Sequence, residues 1–117
     1  MNNKRICFQY NIYLVDLNVQ DNNIQQGIRP CICVSNDINN ARSNIVQFIP
    51  LTSQQKNNLP MHCILSKDNY KFLKFDSVVL AEQLTTVPTD KVVKFLGKIE
   101  EGDIHRIKRC IRRQLDL

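Results

Sequence analysis

The amino-acid sequence predicts an α+β fold in which a small β-barrel carries attached helices. Short runs rich in branched and aromatic residues alternate with polar turns over most of the chain. Helical periodicity is clear only in the last segment, and no internal repeat divides the sequence. A chain of 117 residues is long enough to bury an ordinary core as one unit, so we expect a single domain over residues 1–117.

Strands are predicted wherever an apolar run is bounded by turn-forming residues. The run Cys31-Ile32-Cys33-Val34 is continuous and therefore typical of a strand covered on both faces. The polar stretch 18–26 is expected to form a mobile loop, and 85–91 contains Pro88 and is expected to be irregular. Residues 92–99 are ambiguous between a strand, which we favour, and a helix. The predicted strands cover 12–17, 29–35, 44–51, 61–65 and 76–84, with a turn or single helical turn at 36–43 and further turns at 52–58 and 66–74.

The last segment predicts an amphipathic helix, because its apolar residues recur at intervals of three and four. Acidic residues cluster at its start, in 100–103, and basic residues at its end, in 108–113, which complements the helix dipole at both termini. The cations are typical of a solvated face, and a binding surface is the alternative. The apolar positions are Ile104, Ile107, Ile111 and Leu115.

Charge and hydrophobicity restrict the class of partner. A hydrophobic content of 43% with 23% charged residues fits a soluble globular chain rather than a disordered one. The net charge of +5 favours a polyanionic partner. No apolar stretch approaches the ~20 residues that a membrane span needs, and the N-terminus lacks a signal-peptide hydrophobic region. We therefore expect a cytoplasmic protein with no membrane contact.

The cysteines predict structural roles rather than disulfides or metal ligation. They are five in number and mostly lie within apolar runs, whereas a disulfide framework has an even number in loop-rich sequence. Cys31 and Cys33 are two residues apart in a strand, but no second pair or nearby histidine completes a zinc site. We expect neither a metal ion nor another cofactor. The cysteines are Cys7, Cys31, Cys33, Cys63 and Cys110.

Arg29 is the first candidate functional residue. Its guanidinium stays charged at physiological pH and presents a planar fork of donors suited to phosphate oxygens. Pro30 biases Arg29 toward an extended backbone, and Gly27 allows a loop to pack closely beside a ligand. A cation at the end of a rigid strand is suited to hold an anion in place. The alternative is a structural ion pair at the strand entrance.

Taken together, several short segments resemble the MazF/PemK toxin family, the ribosome-independent mRNA interferases of bacterial toxin–antitoxin pairs. Any one of them is a weak signal, but their order through nearly the whole chain is a strong one. The matching segments are 12–17 (IYLVDL), 25–30 (QQGIRP), 34–40 (VSNDINN), 51–54 (LTSQ), 59–62 (LPMH), 76–83 (DSVVLAEQ) and the terminal helix.

The resemblance implies an SH3-like barrel of the CcdB/PemK type with appended helices, forming a homodimer. It also implies cleavage of single-stranded RNA at short sequences without a metal ion, and neutralisation by a cognate MazE-like antitoxin. The catalytic arginine and threonine of the family fall on Arg29 and Thr52. Ser53 is a candidate third donor, Gly27 belongs to the arginine motif, and the polar residues before it are expected to close over the RNA. The candidate RNA-binding residues are Asn23, Gln25, Gly27, Ser53, Asp76, Ser77, Glu82 and Gln83.

Three departures from the family pattern lie around the expected RNA groove. The family usually opens its first strand with Arg-Gly-Asp, where this chain has Gln9-Tyr10-Asn11. The usual Ser-Glu-Gln-Gly-Gly loop is Asn-Ile-Gln-Gln-Gly at 23–27, and Thr85 stands where an arginine is common. These changes concern base preference and groove charge, and they leave Arg29 and Thr52 in place.

Metal-free RNA cleavage uses the 2′-hydroxyl of the substrate as the nucleophile and needs fixed donors for the charge that develops on phosphorus oxygens. Arg29 and Thr52 fit this role, but arginine is a poor general base because its pKa exceeds ~12, although the family is thought to use its arginine in proton transfer. Only His62 and His105 are conventional candidates. We interpret His62 as a partly buried, hydrogen-bonded side chain and His105 as solvent-facing, so the general base stays unassigned.

Two other functions remain open. One is a non-enzymatic toxin of the same superfamily that binds gyrase, as CcdB-type proteins do through a C-terminal Trp-Gly-Ile. The absence of tryptophan and the ending Gln114-Leu115-Asp116-Leu117 disfavour it. The other is a catalytically inactive RNA-binding relative, for which the polar residues above line a groove without cleavage.

Overall fold

The structure is a computed structural model that describes residues 6–17, 24, 27–54 and 59–117. Asn23 and Gln25, together with most of the predicted loop 18–26, lie outside these residues. The strands are β1 (Asn11–Asp16), β2 (Ile28–Cys33), β3 (Ile45–Thr52), β4 (His62–Leu65), β5 (Ser77–Leu80), β6 (Thr85–Pro88) and β7 (Val92–Lys98). The helices are α1 (Asp37–Arg42) and α2 (Glu101–Leu115), and two 3₁₀ turns cover Ala81–Gln83 and Thr89–Lys91.

The seven strands form an antiparallel sheet with the order β4-β5-β3-β2-β1-β7, and β6 pairs with β3. The long strand β3 has two partners because its first half pairs with β6 and its last two residues pair with β5. In the described part of the chain the ladder is open between β4 and β7. The sheet and the C-terminal helix confirm the predicted α+β fold class.

Both faces of the central strands are buried, as the continuous apolar run in β2 predicts. Directly paired residues of antiparallel strands share a face, so the register assigns each side chain to one of two cores. Ile12, Ile32 and Ile49 share the face that packs with α2, whereas Tyr13 and Cys31 belong to the opposite face. This arrangement holds β2 and β3 rigidly and lets their ends carry functional side chains.

Helix α2 confirms the predicted amphipathic helix and covers one core with Ile107 and Cys110. Its start is held by the hydroxyl of Tyr70, which donates to Asp103 Oδ2 at 2.6 Å and accepts from the backbone N–H of Glu100 at 3.0 Å. Burial and the hydrogen bond to Asp103 raise the pKa of Tyr70, and the hydrogen bond from the Glu100 N–H only partly offsets them. Among the described ranges, neither helix has the length and apolar character needed to cross a bilayer.

Two predictions about local structure are wrong. The strand predicted over 76–84 ends at Leu80, where the chain enters the 3₁₀ turn, and the supposedly irregular 85–91 contains β6. Strand β6 forms because Val87 pairs with Val46 of β3, a contact between segments far apart in sequence. The segment 92–99, ambiguous in sequence, is a strand, and all five cysteines are free as predicted.

Candidate active site

A cavity of about 230 Å³ opens where β2 enters the sheet and β3 leaves it. It brings together three residues that the sequence nominated, Arg29, Ser53 and Ser77. We call it the Arg29 cavity. Its walls are Arg29, Pro30, Leu51, Ser53, Phe72, Leu73, Lys74, Phe75 and Ser77.

Arg29 is an exposed residue of β2 that pairs with Val15 of β1. Gly27, two residues earlier, has φ of 73°, a left-handed conformation that glycine adopts without the steric penalty of a Cβ. The carbonyl of Gly27 accepts a hydrogen bond from the N–H of Leu17 at 3.0 Å, which closes the connection between β1 and β2. The turn and the ladder together fix the backbone from which Arg29 projects.

Thr52 is the last residue of β3 and is only 5% exposed. The β2–β3 pairing ends at Cys31 and Pro50, two residues short of Arg29 on β2 and of Thr52 on β3. Thr52 is not among the residues that line the Arg29 cavity, although its neighbours Leu51 and Ser53 are. The hydroxyl of Thr52 accepts from the N–H of Gln54 at 3.2 Å, which leaves its hydrogen for donation to another acceptor.

Ser53 and Ser77 add hydroxyl groups to the cavity, but in different states. Ser53 is exposed, whereas Ser77 is 6% exposed and donates its hydroxyl hydrogen to the carbonyl of Phe75 at 3.0 Å. Asp76 does not line the Arg29 cavity, and its Oδ1 accepts a hydrogen bond from the N–H of Lys67 at 2.9 Å. Ser53 is therefore the better placed of these three to donate to an anion in the cavity.

Glu82 and Gln83 lie outside the Arg29 cavity. Gln83 lines a separate cavity of about 220 Å³ together with Asp16, Pro50 and Thr85. Oε2 of Glu82 lies 2.7 Å from Nε2 of His62. The 3₁₀ turn that replaces the end of the predicted strand directs the two residues to different neighbours.

His62 has one satisfied ring nitrogen and one without a partner among the described residues. Its side chain is 4% exposed, and Nδ1 is buried without a hydrogen bond. A carboxylate accepts hydrogen bonds, so the proton belongs on Nε2 beside Glu82. His62 pairs with Leu80 and Thr52 pairs with Val78, which puts their Cα atoms roughly 12 Å apart across two strand spacings. A ligand in the Arg29 cavity meets His62 only if it extends across β5.

Lys74 and Phe75 are cavity residues that the sequence reasoning missed. Phe75 is 63% exposed and Lys74 is an exposed cation, so the cavity offers both an ammonium group and an aromatic face beside Arg29. The available signal was a basic residue and an aromatic residue directly before the Asp76-Ser77 pair. The sequence predicts only a turn over 66–74 and does not link that turn to the site.

The thiol beneath the site is not a nucleophile. Burial raises the pKa of Cys31 to about 12, and the nearby charge of Arg29 only partly offsets this. The thiol is therefore neutral near pH 7, whereas reactive cysteines carry a lowered pKa. Among the described residues, no group of three or more histidine, cysteine or acidic side chains is arranged to hold a metal ion.

The fold and the site define a small basic α+β domain with a cavity that contains an arginine at the ends of two central strands. The model of the family described as PemK-like, MazF-like toxin of type II toxin-antitoxin system matches residues 8–115. An endoribonuclease MazF of Staphylococcus saprophyticus is 31% identical over 107 residues, which cover 91% of this chain and 88% of that protein. The chain belongs to the PemK/MazF family of toxins.

Solved structures share the fold at low sequence identity. A MazF of Deinococcus radiodurans matches with a TM-score of 0.80 and 18% identity, over 97% of this chain and 99% of that one. A mycobacterial endoribonuclease in complex with its cognate antitoxin matches with a TM-score of 0.77 and 19% identity, over 95% and 96%. These matches confirm the MazF-type fold that the resemblance implied.

Proposed function

We propose that the protein is a sequence-specific endoribonuclease toxin that cleaves single-stranded mRNA without a metal ion. The products are a 5′-hydroxyl end and a 2′,3′-cyclic phosphate or 3′-phosphate end. The observation that carries the proposal is that Arg29 lines one cavity with Ser53, the residue that directly follows Thr52 at the end of β3. Membership in a family with a relative named as an endoribonuclease supports the same function.

In the proposed reaction, the 2′-oxygen of the substrate forms a bond to the adjacent phosphorus while the bond from phosphorus to the 5′-oxygen breaks. One proton leaves the 2′-hydroxyl and another reaches the departing 5′-oxygen. The guanidinium of Arg29 and the hydroxyl of Thr52 donate to the non-bridging oxygens, where negative charge develops. Their supporting partners, the β2 ladder and the Gln54 N–H, hold these donors in place before substrate arrives.

Single-stranded RNA is recognised through splayed bases that stack on aromatic side chains and are read on their edges. Phe75 offers an exposed ring at the Arg29 cavity, and Lys74 a cation for the backbone. Gln83 offers an amide in the neighbouring cavity. We assign Glu82, Asp76, Gly27 and the loop residues Asn23 and Gln25 to the surrounding RNA-binding surface.

We also propose a cytoplasmic homodimer that is neutralised by an antitoxin with an acidic segment. The net charge of +5 and the exposed cations suit an acidic segment, which would order on binding. Related structures were solved as complexes with a cognate antitoxin, which supports such a partner for this chain.

The first test is cleavage of a long single-stranded RNA by the purified protein in excess chelator. Discrete fragments with 5′-hydroxyl ends are expected, and intact RNA or cleavage that needs Mg²⁺ contradicts the proposal. Arg29→Ala should lower the cleavage rate by roughly 10²–10³, because one fixed donor to the developing charge is lost. Arg42→Ala is the matched control, since Arg42 is an exposed arginine in the last turn of α1. Equal rates in the two variants would reject Arg29 as a catalytic residue, and binding without cleavage in the native protein would indicate an inactive relative.

A further inference from the structure

A second basic cleft lies between α2 and β4, on the other side of β5 from the Arg29 cavity. We call it the arginine cleft. Its volume is about 300 Å³, and three of its residues are arginines of a single helix face. The lining residues are His62, Cys63, Ile64, Arg106, Arg109, Cys110 and Arg113.

The arginines are held in place by helix spacing and by the edge of the sheet. Residues 106, 109 and 113 are three and four apart, so their side chains project from the same face of α2. Nη1 of Arg106 donates to the carbonyl of Ile64 at 2.9 Å, and Nη1 of Arg113 donates to the carbonyl of Pro60 at 3.1 Å. These bonds orient two guanidinium groups and leave their remaining N–H donors for other acceptors.

The positive charge of the cleft is only partly neutralised. Among the described residues, Asp103 is the one carboxylate in ion-pair contact with these arginines, through Nη1 of Arg106 at 2.8 Å. Burial and the neighbouring Cys110 thiol raise the pKa of Cys63 to about 12, so this sulfur carries no compensating negative charge near pH 7. Three cations within roughly 10 Å of helix repel one another, and an anionic ligand would relieve this repulsion.

His62 offers a hydrogen-bond acceptor to a ligand in the cleft. It lines the cleft, its side chain is 4% exposed, and its buried Nδ1 has no hydrogen-bond partner in the described part of the chain. With the proton on Nε2, Nδ1 is an acceptor, so the partner it lacks is a donor such as a ribose 2′-hydroxyl and not a phosphate oxygen. The same residue contacts Glu82, one of the residues nominated for RNA binding.

One row of residues across the sheet joins Thr52 to the arginine cleft. Thr52 pairs with Val78, and Val78 pairs with Ile64, so the three residues form one row across β3, β5 and β4. The row is two strand spacings wide, about 10 Å. Val78 is half-buried and Ile64 is 48% exposed, so the surface between the two basic sites is apolar.

We propose that the arginine cleft binds the phosphate backbone of the RNA strand as it leaves the Arg29 cavity across β5. This inference rests on the proposed function and adds a binding site to it. Arg109 is the central cation, and Arg106 and Arg113 flank it. The apolar row supports bases between the cut and the cleft, because base faces pack on apolar and aromatic surfaces.

An RNA strand fits the cleft better than an acidic peptide does. An extended peptide gains much of its affinity on a sheet edge by adding a hydrogen-bonded strand. At the β4 edge, the carbonyl of Ile64 already accepts a hydrogen bond from Arg106. The carbonyl of Pro60, just before β4, accepts one from Arg113. A polyanion that uses only charge and stacking does not need those carbonyls.

The test compares Arg109→Gln with Arg112→Gln. Both variants remove one exposed arginine from α2, but Arg112 is not part of the cleft. The arginines that bond backbone carbonyls across the cleft are Arg106 and Arg113, and both variants keep them. Cleavage kinetics are measured on a short RNA that spans only the cut site and on the same sequence extended on both sides. Arg109→Gln should raise KM for the extended RNA several-fold more than for the short one, whereas Arg112→Gln should affect both alike. Loss of one phosphate contact should also reduce the slope of log affinity against log salt by about 0.7.

A binding assay separates this proposal from the proposed function. The wild-type protein and both variants are titrated with extended RNA that carries a 2′-deoxy residue at the cut, and with a poly-glutamate peptide. If the wild-type protein cleaves no RNA but Arg109→Gln alone weakens RNA binding, the nuclease assignment fails and the arginine cleft stands. Equal binding by the two variants would overturn the cleft as an RNA site. A larger loss for poly-glutamate than for RNA would assign it to an acidic peptide instead and would equally overturn the proposal.

Discussion

Gly97→Ala should destabilise the protein, although glycine-to-alanine changes in extended structure usually stabilise. Gly97 lies in β7 and pairs with Ile12. Its φ is not positive, so an alanine can adopt the same backbone conformation. A Cβ there would lie 2.6 Å from Cε1 of Phe72, closer than carbon atoms approach without a shift. The ring of Phe72 packs against Tyr70 at 5.9 Å between centroids and lines the Arg29 cavity, so moving it disturbs both neighbours.

We expect Gly97→Ala to lower the free energy of unfolding by about 1–3 kcal/mol, the range for inserting a methyl group into packed side chains. For a domain of this size the loss corresponds to about 3–6 °C in Tm per kcal/mol. Urea unfolding in the wild-type and Phe72→Leu backgrounds completes a double-mutant cycle, which isolates the contact. The cost should largely disappear in Phe72→Leu, because the clashing edge of the ring is gone. An equal cost in both backgrounds, or a stabilised Gly97→Ala, would refute this reasoning.

Three further predictions test the site and the core. Thr52→Val should lower the RNA cleavage rate by roughly 10², and Thr52→Ser should keep most of the wild-type rate, because the hydroxyl and not the methyl group donates to the phosphate. A valine variant that cleaves RNA as fast as the wild-type protein would contradict this role. Ile107→Ala should lower the free energy of unfolding in urea by about 2–5 kcal/mol, since this fully buried side chain joins α2 to the sheet. Ile38→Ala is the control because Ile38 is exposed, and a smaller loss for Ile107→Ala than for this control would show that α2 packs differently. Stability should fall as pH rises from about 9 toward 12, because burial raises the pKa of Cys31, Cys33 and Cys63, which keep their protons in the folded state after the unfolded chain has lost them. Cys31→Ala should remove part of this slope in urea unfolding at pH 8 and pH 10, and an unaltered slope would reject Cys31 as one of its sources.

The same arginines of α2 illustrate how tertiary structure changes the interpretation of a sequence pattern. In sequence, the basic end of the helix complements the helix dipole and is typical of a solvated face. In the structure, Arg106 donates to the carbonyl of Ile64 in β4, and Arg113 donates to the carbonyl of Pro60 just before that strand. Because β4 lies opposite, one face of the helix becomes a wall of the arginine cleft. Helical periodicity identifies which residues share a face but not which element lies opposite that face.

The candidate site was only partly predictable for a similar reason. Arg29 and Ser53 could be nominated from local motifs, and the structure places them in one cavity with Ser77. Lys74 and Phe75 enter the same cavity because β5 runs beside β3, a pairing that no local pattern encodes. Motifs identify chemistry along the chain, whereas the sheet order decides which motifs meet.

The sequence by itself determined the α+β class, the buried strand of β2, the C-terminal helix and the toxin family, because these depend on local periodicity and on ordered motifs. Only the tertiary structure decided that β6 exists, that Glu82 contacts His62 and that Gln83 lines a separate cavity. Each of these depends on contacts between residues distant in sequence. The free energy of such contacts comes from the packed sheet as a whole, and no short stretch of residues specifies it.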